Sequence, residues 1–404
     1  MFFLIIYLLE VFALSYSEKR RWHTLLTPLN VMMLPNTLAV IVAVLYSYSN
    51  KYVPNFYLPS LIVWIIGLAI FALPSFCFSA INKRNDFKID VGSKDDSYKL
   101  LNIIASICII ISFLKLRSLS GSLENFGTDD FSEEYQTKGL FAHLSVIIGA
   151  TFAYSIYKLD RHHLYSVIII IGALIGMYAI GTKSWIIAPL LIGYYGRLIT
   201  VKTKFNLKTV VLPILLIFGV FFLSYYLIIV IASNNEMSFD IVRFIVEHFI
   251  DYFSGANLAF SLDYQRGILE PEMGDALFAP FINIVNTFSN EPYVNVINPI
   301  YWDIGDLGEN NVRTLFGTIL CYSHSDLIFV MVTLSYSIIT YIIYLKSRNS
   351  NSLFLLMANC TCLTFLTFSF FDFYWINLTP YEILVLFLLV HVFLYSSKRK
   401  FLKT

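Results

Sequence analysis

Long apolar segments follow one another along most of this chain, and they constrain its fold more than any other feature. A transmembrane helix needs about 20 largely apolar residues to cross about 30 Å of hydrocarbon. The chain is 57% hydrophobic and only 14% charged, whereas a globular domain has about 25% charged residues. We therefore predict an all-α polytopic integral membrane protein with about 11 transmembrane helices, in residues 2–17, 29–47, 58–79, 100–116, 140–157, 164–180, 185–199, 210–232, 327–345, 353–371 and 383–395.

The distribution of lysine and arginine predicts the orientation of these spans, because short cytoplasmic loops are rich in both residues. Alternate loops on one side carry 20 of the 28 lysines and arginines. These loops are residues 18–28, 81–99, 158–163, 197–208, 346–351 and 396–404. We predict that this side, with the C-terminus, is cytoplasmic, and that the large loop between the eighth and ninth spans faces outward.

That large loop, residues 233–313, is predicted to form an extracytoplasmic helical cap within a single integral membrane domain that spans residues 1–404. Ser238 is a suitable N-cap, and polar residues then recur every three or four positions up to Phe253. This spacing is typical of an amphipathic helix that lies at a membrane interface. Gly255 is expected to end the helix in a left-handed conformation.

Three arginines stand among twelve acidic residues in the cap. Arg243 and Glu247 have the i, i+4 spacing of a solvated ion pair. Arg266 either forms a surface ion pair with Asp263 or binds an anionic ligand. Arg313 adjoins an apolar turn, where it would either snorkel toward lipid headgroups or hold phosphate oxygens with its planar fork. For Arg313 we favour the phosphate interpretation.

Three further ionisable residues lie at the same predicted outer level. Lys183 is the cation in the turn between two closely spaced spans, where it either snorkels or contacts an anion. His324 and Asp326 stand at the mouth of the span that begins at residue 327. Ionisable residues in or near a bilayer are costly and are commonly functional, although Asp326 is equally suitable as a helix cap.

The sequence indicates neither a metal site nor a cofactor site. The seven histidines do not have metal-ligand spacing, and the chain has no Gly-rich phosphate loop, dinucleotide fingerprint or nucleophile elbow. The five cysteines lie in or beside apolar runs, which favours small buried side chains over a disulfide framework. The net charge of +1 does not indicate a nucleic-acid partner.

Several short segments resemble the Wzy-type polysaccharide polymerases, which polymerise O-antigen and capsule repeat units. Those proteins also have about a dozen spans and a large external loop late in the chain. The resemblance lies in residues 252–258 (YFSGANL), 274–280 (GDALFAP), 311–317 (NVRTLFG) and the basic turn 181–184 (GTKS). Two positions depart from the family pattern. Lys183 stands where arginine is more usual, and Leu327 stands where a glycine often follows the aspartate.

The resemblance implies a metal-independent glycosyltransferase on the outer face of a bacterial inner membrane. It would move a growing glycan from undecaprenyl pyrophosphate onto a newly flipped lipid-linked repeat unit, and so form O-antigen or capsular polysaccharide. Arg266, Arg313 and Lys183 are the expected pyrophosphate ligands, because negative charge develops on the leaving group. His324 or Asp326 is the expected general base, and Arg313 is counted with them as catalytic.

The implied partners are the undecaprenyl-pyrophosphate-linked donor and acceptor oligosaccharides, the lipid bilayer and a polysaccharide chain-length regulator. No nucleic acid is expected. Sugars are expected to stack on exposed aromatic residues of the cap, such as Tyr293, Tyr301 or Trp302.

Three other functions fit parts of the pattern. An O-antigen ligase has a similar plan and differs mainly in its acceptor, the lipid A core. A lipid-linked oligosaccharide flippase would show repeated halves and short external loops, and this chain has neither. A membrane acyltransferase would place its catalytic histidine or aspartate in a motif that is not found here. Only the overall likeness favours the polymerase over the ligase, and the polymerase is the preferred hypothesis.

Overall fold

The computed structural model describes residues 1–81, 97–119, 140–159, 164–178, 184–200, 207–226, 229–230, 236–267, 271–323 and 325–401. Within these ranges the chain is almost entirely helical, which confirms the all-α expectation. The α-helices are α1 (Phe2–Trp22), α2 (Pro28–Ser49), α3 (Leu61–Ile81), α4 (Ser97–Leu119), α5 (Leu140–Tyr157), α6 (Leu164–Tyr178), α7 (Ser184–Thr200), α8 (Leu207–Tyr226), α9 (Phe239–Arg266), α10 (Ala279–Ser289), α11 (Leu315–Ser323), α12 (Asp326–Arg348), α13 (Leu353–Thr367) and α14 (Thr379–Phe401). Shorter elements are the 3₁₀ helices Leu58–Ser60, Pro271–Phe278, Gly305–Leu307, Phe368–Phe370 and Tyr374–Ile376, and the strands β1 (Trp302–Asp303) and β2 (Glu309–Asn310).

The hydropathy and length of these helices identify a membrane-embedded protein. Four segments of the described chain are long and apolar enough to cross a membrane: Pro28–Ser49, Leu58–Ile81, Asp326–Arg348 and Leu353–Phe370. Six shorter apolar helices are Asn102–Lys115, Ala142–Tyr157, Ser166–Met177, Ile186–Thr200, Ile217–Tyr226 and Thr379–Val392. The eleven predicted spans overlap α1 to α8 and α12 to α14, and the number that cross the bilayer stays a prediction.

The chain packs as two compact units. The first comprises Met1–Asp86, Val246–Lys346 and Phe365–Pro380, and the second comprises Phe87–Ile245, Ser347–Thr364 and Tyr381–Thr404. In the second unit, helices α4 to α7 share a core built from Cys108, Leu144, Ile148, Phe152, Ala173, Met177 and Ile186. All five cysteines are free and four of them are buried, as expected for small side chains in apolar runs.

The first unit has two ends, which its hydrogen bonds and ring contacts define. Near the C-termini of α1, α3 and α12, the Glu18 carboxylate accepts hydrogen bonds from Ser75 and Tyr341. Near the N-termini of α3 and α12, the Phe316 ring of α11 lies between Trp64 and Phe329, at centroid distances of 4.7 and 6.2 Å. Helices α3 and α12 therefore run in parallel. We call these the Glu18 end and the hairpin end, after the β1–β2 hairpin.

Helix α9 corrects the prediction made for the cap. Ser238 does cap the helix, because its Oγ accepts a hydrogen bond from the Ile241 amide at 3.3 Å. The prediction that the helix ends at Gly255 is wrong, because the helix continues to Arg266. Residues 254–263 are all buried, so the second half of α9 is a core element of the first unit. Packing at Gly255, described below, explains why a glycine stands inside this helix.

Candidate functional site

The β1–β2 hairpin sits at the end of the first unit where α2 leads into α3. Its turn contains Gly305 at φ 71°, a backbone conformation that favours glycine. A Cβ at this position would lie 1.7 Å from the carbonyl oxygen of Tyr52, so the turn rests directly on the α2–α3 connection. Asn50 also donates from Nδ2 to Asp306 Oδ2 at 3.0 Å. These contacts hold the hairpin against the helical core.

A buried ion pair lies where the hairpin leads into α11. Arg313 and Asp263 are 1% and 2% exposed. Arg313 donates from Nε to Asp263 Oδ2 and from Nη2 to Asp263 Oδ1, the latter at 3.2 Å. Its Nη2 also donates to the Ile300 carbonyl at 3.3 Å, and its Nη1 to the Val312 carbonyl at 3.0 Å. A guanidinium has five N–H groups, and four of them are used in these bonds within the described part of the chain.

The same carboxylate anchors an aromatic ring beneath a second arginine. Trp302 Nε1 donates to Asp263 Oδ1 at 2.6 Å, which fixes the orientation of the indole. The Arg266 guanidinium carbon lies 4.1 Å from the centre of that ring. Arg266 is exposed, and within the described part of the chain its guanidinium has no hydrogen bond or ion pair. A cation stacked on an aromatic face thus keeps its N–H edge available to solvent.

Gly255 allows the second strand of the hairpin to touch α9. A Cβ on Gly255 would lie 2.3 Å from Asp251 Oδ1 and 2.6 Å from Asn310 Nδ2. Those two groups are hydrogen-bonded to each other, with Asn310 donating to Asp251 at 3.2 Å. Burial raises the pKa of Asp251 to about 7, and the Asn310 bond opposes this shift. The hairpin is therefore fastened to α9 at two aspartates, Asp251 and Asp263.

A third aspartate, Asp372, lies beside the backbone of Arg313. Thr318 Oγ1 is 2.7 Å from Asp372 Oδ1 and 3.0 Å from the Arg313 carbonyl oxygen. Asp372 Oδ1 also accepts a hydrogen bond from the Phe373 amide at 2.7 Å. Burial raises the pKa of Asp372 to about 6, while Thr318, the Phe373 amide and the positive charge of Arg313 act in the opposite direction. Asp372 is therefore a weaker acid than an ordinary aspartate.

The predicted site residues separate into three groups. Arg266 and Arg313 both lie beside the Asp263–Trp302 pair, although 47 positions separate them in the sequence. Asp326 is the first residue of α12 and is exposed. His324 and Lys183 lie outside the described residues.

Two interpretations made from the sequence are corrected here. The surface ion pair between Arg266 and Asp263 is wrong, because Asp263 is buried and bonded to Arg313. Snorkelling of Arg313 toward headgroups is wrong as well, because its guanidinium is enclosed and bonded to a carboxylate and two carbonyls. The charge that remains accessible belongs to Arg266.

The aromatic residues proposed for sugar stacking differ in exposure. Tyr293 and Tyr301 are 66% and 55% exposed, whereas Trp302 is 9% exposed. Because one face of Trp302 is covered by Arg266, this indole supports the arginine and offers little surface to a sugar. Tyr301, the residue before it in the chain, has the free ring surface that stacking needs.

Asp251, Asp372 and the structural role of Asp263 are the features that sequence reasoning missed. Asp372 had a usable signal: it is the acid within residues 370–375 (FFDFYW), where five aromatic residues surround it, and isolated acids in such surroundings are commonly functional. Asp251 has no such signal, because its spacing matches the solvated face of an amphipathic helix.

The interior of this region holds the Arg313–Asp263 ion pair, and its surface carries Arg266 together with the exposed acids Asp303, Asp306 and Glu309. Asp263 neutralises Arg313, and the raised pKa values make Asp251 and Asp372 weaker counter-charges than ordinary aspartates. Arg266 is thus a fixed cation suited to an anionic ligand. Among the described residues, no group of three or more histidine, cysteine or acidic side chains could hold a metal ion.

A comparison with protein families matches residues 52–401 to one family, described as a family of unknown function (DUF6337). No curated protein and no solved structure matches the chain.

Proposed function

Because the chain belongs to this family of unknown function, its activity has to be argued from its own residues, and we propose that it is a lipid-linked oligosaccharide polymerase. In this proposal it transfers a glycan from undecaprenyl pyrophosphate to a lipid-linked repeat unit on the outer face of a bacterial inner membrane. The product is O-antigen or capsular polysaccharide. An O-antigen ligase is the alternative that uses the same donor chemistry and a different acceptor.

One observation carries the proposal: Arg266 is an exposed cation held over Trp302 in a membrane-embedded chain. The leaving group of the proposed reaction is a lipid pyrophosphate, whose negative charge increases as the glycosidic bond breaks. A preorganised cation stabilises that charge without reorganisation during the reaction. Arginine suits this role because its charge persists and its fork matches phosphate oxygens.

The buried ion pair supports Arg266 indirectly. Arg313 holds the Asp263 carboxylate with two N–H groups, and Asp263 in turn holds the Trp302 indole under Arg266. We propose Arg313 as a positioning residue, because its guanidinium is buried and bonded to protein groups. Lys183 is proposed as a further pyrophosphate contact from the sequence alone.

The reaction balances with groups of this chain and its two substrates. The acceptor hydroxyl loses its proton to a base and its oxygen forms a bond to the anomeric carbon of the donor glycan. The bond between that carbon and the pyrophosphate oxygen breaks, and the lipid pyrophosphate leaves with the electron pair. Asp326, exposed at the start of α12, and His324 are the proposed bases. Asp263 is unsuited to that role, because both its oxygens accept hydrogen bonds from buried donors.

The first unit also has a polarity that fits an outward-facing site. At the Glu18 end, the basic residues Lys19, Arg20 and Arg21 lie in the last turn of α1. Tyr344 of α12 donates a hydrogen bond to the Leu26 carbonyl at 2.9 Å at the same end. The hairpin lies at the opposite end. Because basic loops stay in the cytoplasm, we propose that the hairpin end faces the outer side.

A reconstituted assay with a defined lipid-linked repeat unit tests the proposal. Purified protein in detergent is expected to lengthen the glycan without nucleotide sugar, nucleoside triphosphate or divalent cation, and EDTA is expected to have no effect. The pyrophosphate linkage itself supplies the free energy. Arg20→Ala is the matched control for Arg266→Ala, because Arg20 is an exposed arginine near the Glu18 end.

Two outcomes would contradict the polymerase. Movement of the lipid across a reconstituted bilayer with no covalent product would identify a flippase. Glycan transfer to a lipid A core acceptor, and none to a second repeat unit, would identify a ligase.

A further inference from the structure

Helix α10 carries a continuous apolar stripe on its exposed side. Phe281, Ile284, Val285 and Phe288 are spaced i, i+3, i+4 and i+7, so they lie on one helix face. They are 55%, 46%, 64% and 86% exposed, respectively. Residues 276–290 contain no charged side chain. Transfer of the large apolar side chains of Ile284, Val285 and Phe288 from water to an apolar environment would be favourable.

The opposite face of α10 is bound to the chain that follows it. Asn283 donates from Nδ2 to the Val294 carbonyl at 3.1 Å and accepts at Oδ1 from the Val294 amide at 2.7 Å. Asn286 donates from Nδ2 to the Pro292 carbonyl at 2.7 Å. These bonds fix the rotation of the helix about its axis, so the stripe cannot turn inward without breaking them.

The dimensions of α10 decide between crossing a membrane and lying in its surface. Eleven residues extend about 16 Å, which is about half of the hydrocarbon thickness. The helix ends at Asn290 in the left-handed conformation, and the charged Glu291 follows. An uncharged helix of this length, with one apolar face, suits the boundary between headgroups and acyl chains.

We propose that α10 is an interfacial membrane anchor whose Ile284, Val285 and Phe288 side chains insert into the lipid of the leaflet nearest to it. Lipid is favoured over a protein partner because the chain is itself membrane-embedded and the face has no charged or hydrogen-bonding side chain to specify a partner. The anchor does not depend on glycosyl transfer. It would hold the segment that leads to Tyr301 and Trp302 at the level of the headgroups, where a lipid pyrophosphate is found.

Nitroxide accessibility in lipid nanodiscs with one protomer per disc tests the anchor. Labels are attached at Val285→Cys or Phe288→Cys, with Glu291→Cys as the matched control and the exposed Cys77 replaced by serine. Labels at 285 and 288 are expected to collide with oxygen and to be shielded from a water-soluble nickel chelate, at a depth of about 5–10 Å. The label at 291 is expected to show the reverse preference.

Either of two results overturns the anchor. Equal access of the nickel chelate to positions 288 and 291 would show that the helix stands in water. Shielding of position 288 from both reagents would show that protein covers the stripe. Because Val285 and Phe288 are the most exposed members of the stripe, their replacement is expected to leave thermal unfolding unchanged, and the two positions report independently.

Discussion

The two ends of the first unit each bury a carboxylate, and they satisfy it in different ways. At the Glu18 end, Glu18 accepts from the hydroxyls of Ser75 and Tyr341, and Ser75 accepts from Trp22 Nε1 at 2.9 Å. At the hairpin end, Asp263 is bonded to the guanidinium of Arg313. The donors to Glu18 are neutral hydroxyl groups, whereas the donors to Asp263 from Arg313 belong to a full cation.

The difference concerns what the buried carboxylate holds in place at each end. A buried ion pair gains little stability over an apolar replacement, but loss of one partner is costly because a charge stays behind. We therefore interpret the Arg313–Asp263 pair by the side chain that it positions. Here it holds Trp302 beneath Arg266. At the Glu18 end, Arg21 lies over the Phe76 ring at 3.4 Å, but that ring makes no hydrogen bond to the buried acid.

The largest effect is expected from Arg313→Ala, which leaves the Asp263 carboxylate buried without its counter-charge. We expect the free energy of unfolding to fall by about 3–5 kcal/mol, measured by denaturation in detergent. Glu18→Gln is the matched comparison at the other end, and its cost is expected to be about 0.5–1.5 kcal/mol, the value of one neutral hydrogen bond. Equal losses for the two variants would remove the distinction drawn between the ends.

Arg266→Ala separates activity from stability. The rate of glycan transfer is expected to fall on the order of 10²–10³-fold, as for removal of one charge-stabilising donor. The free energy of unfolding should change by less than about 0.5 kcal/mol, because Arg266 is exposed. Arg266→Lys should recover little of the rate, since an ammonium lacks the bidentate fork. Normal turnover by Arg266→Ala would exclude this arginine as a pyrophosphate ligand.

Gly255→Ala tests whether the hairpin must touch α9. The added Cβ would collide with Asp251 and Asn310, so we expect a loss of about 1–3 kcal/mol from overpacking. In the control, Gly219→Ala, the Cβ would meet no atom within 4 Å, and replacing a helical glycine should be neutral or stabilising by up to about 1 kcal/mol. Equal stability of the two variants would show that the helix–hairpin contact is loose.

The last prediction is a pH dependence at Asp251. Its pKa is raised from 3.8 to about 7 in the folded protein, so the folded state binds more protons than the unfolded state in this range. The contribution of Asp251 to stability is therefore fully present below about pH 4 and is lost as the pH rises to about 7. Asp251→Asn should flatten this slope and leave the smaller contribution of Asp372, whose pKa is raised in the same direction. An unchanged slope in the variant would mean that Asp251 is ionised without penalty.

The sequence alone predicted the helical, membrane-embedded character of the chain, because hydropathy over some 20 residues is a local property that needs no tertiary contact. It also selected Arg266 and Arg313 as unusual, since cations are scarce in that acidic segment. It erred at Gly255, which local rules assign to a helix end. A glycine inside a helix is equally explained by a close contact, and only the position of Asn310 shows that contact.

What the tertiary structure decided is the pairing of charges. Asp263 is three residues from Arg266 and fifty from Arg313, yet Arg313 is its partner, because the fold brings the end of the hairpin over the buried half of α9. Likewise Asp372 meets Thr318 from 54 residues away. Burial makes an unpaired charge far more costly than an exposed one, so the buried acid takes the arginine that is buried with it. The arginine nearest in the chain is left exposed on Trp302, and that exposure makes it the candidate for function.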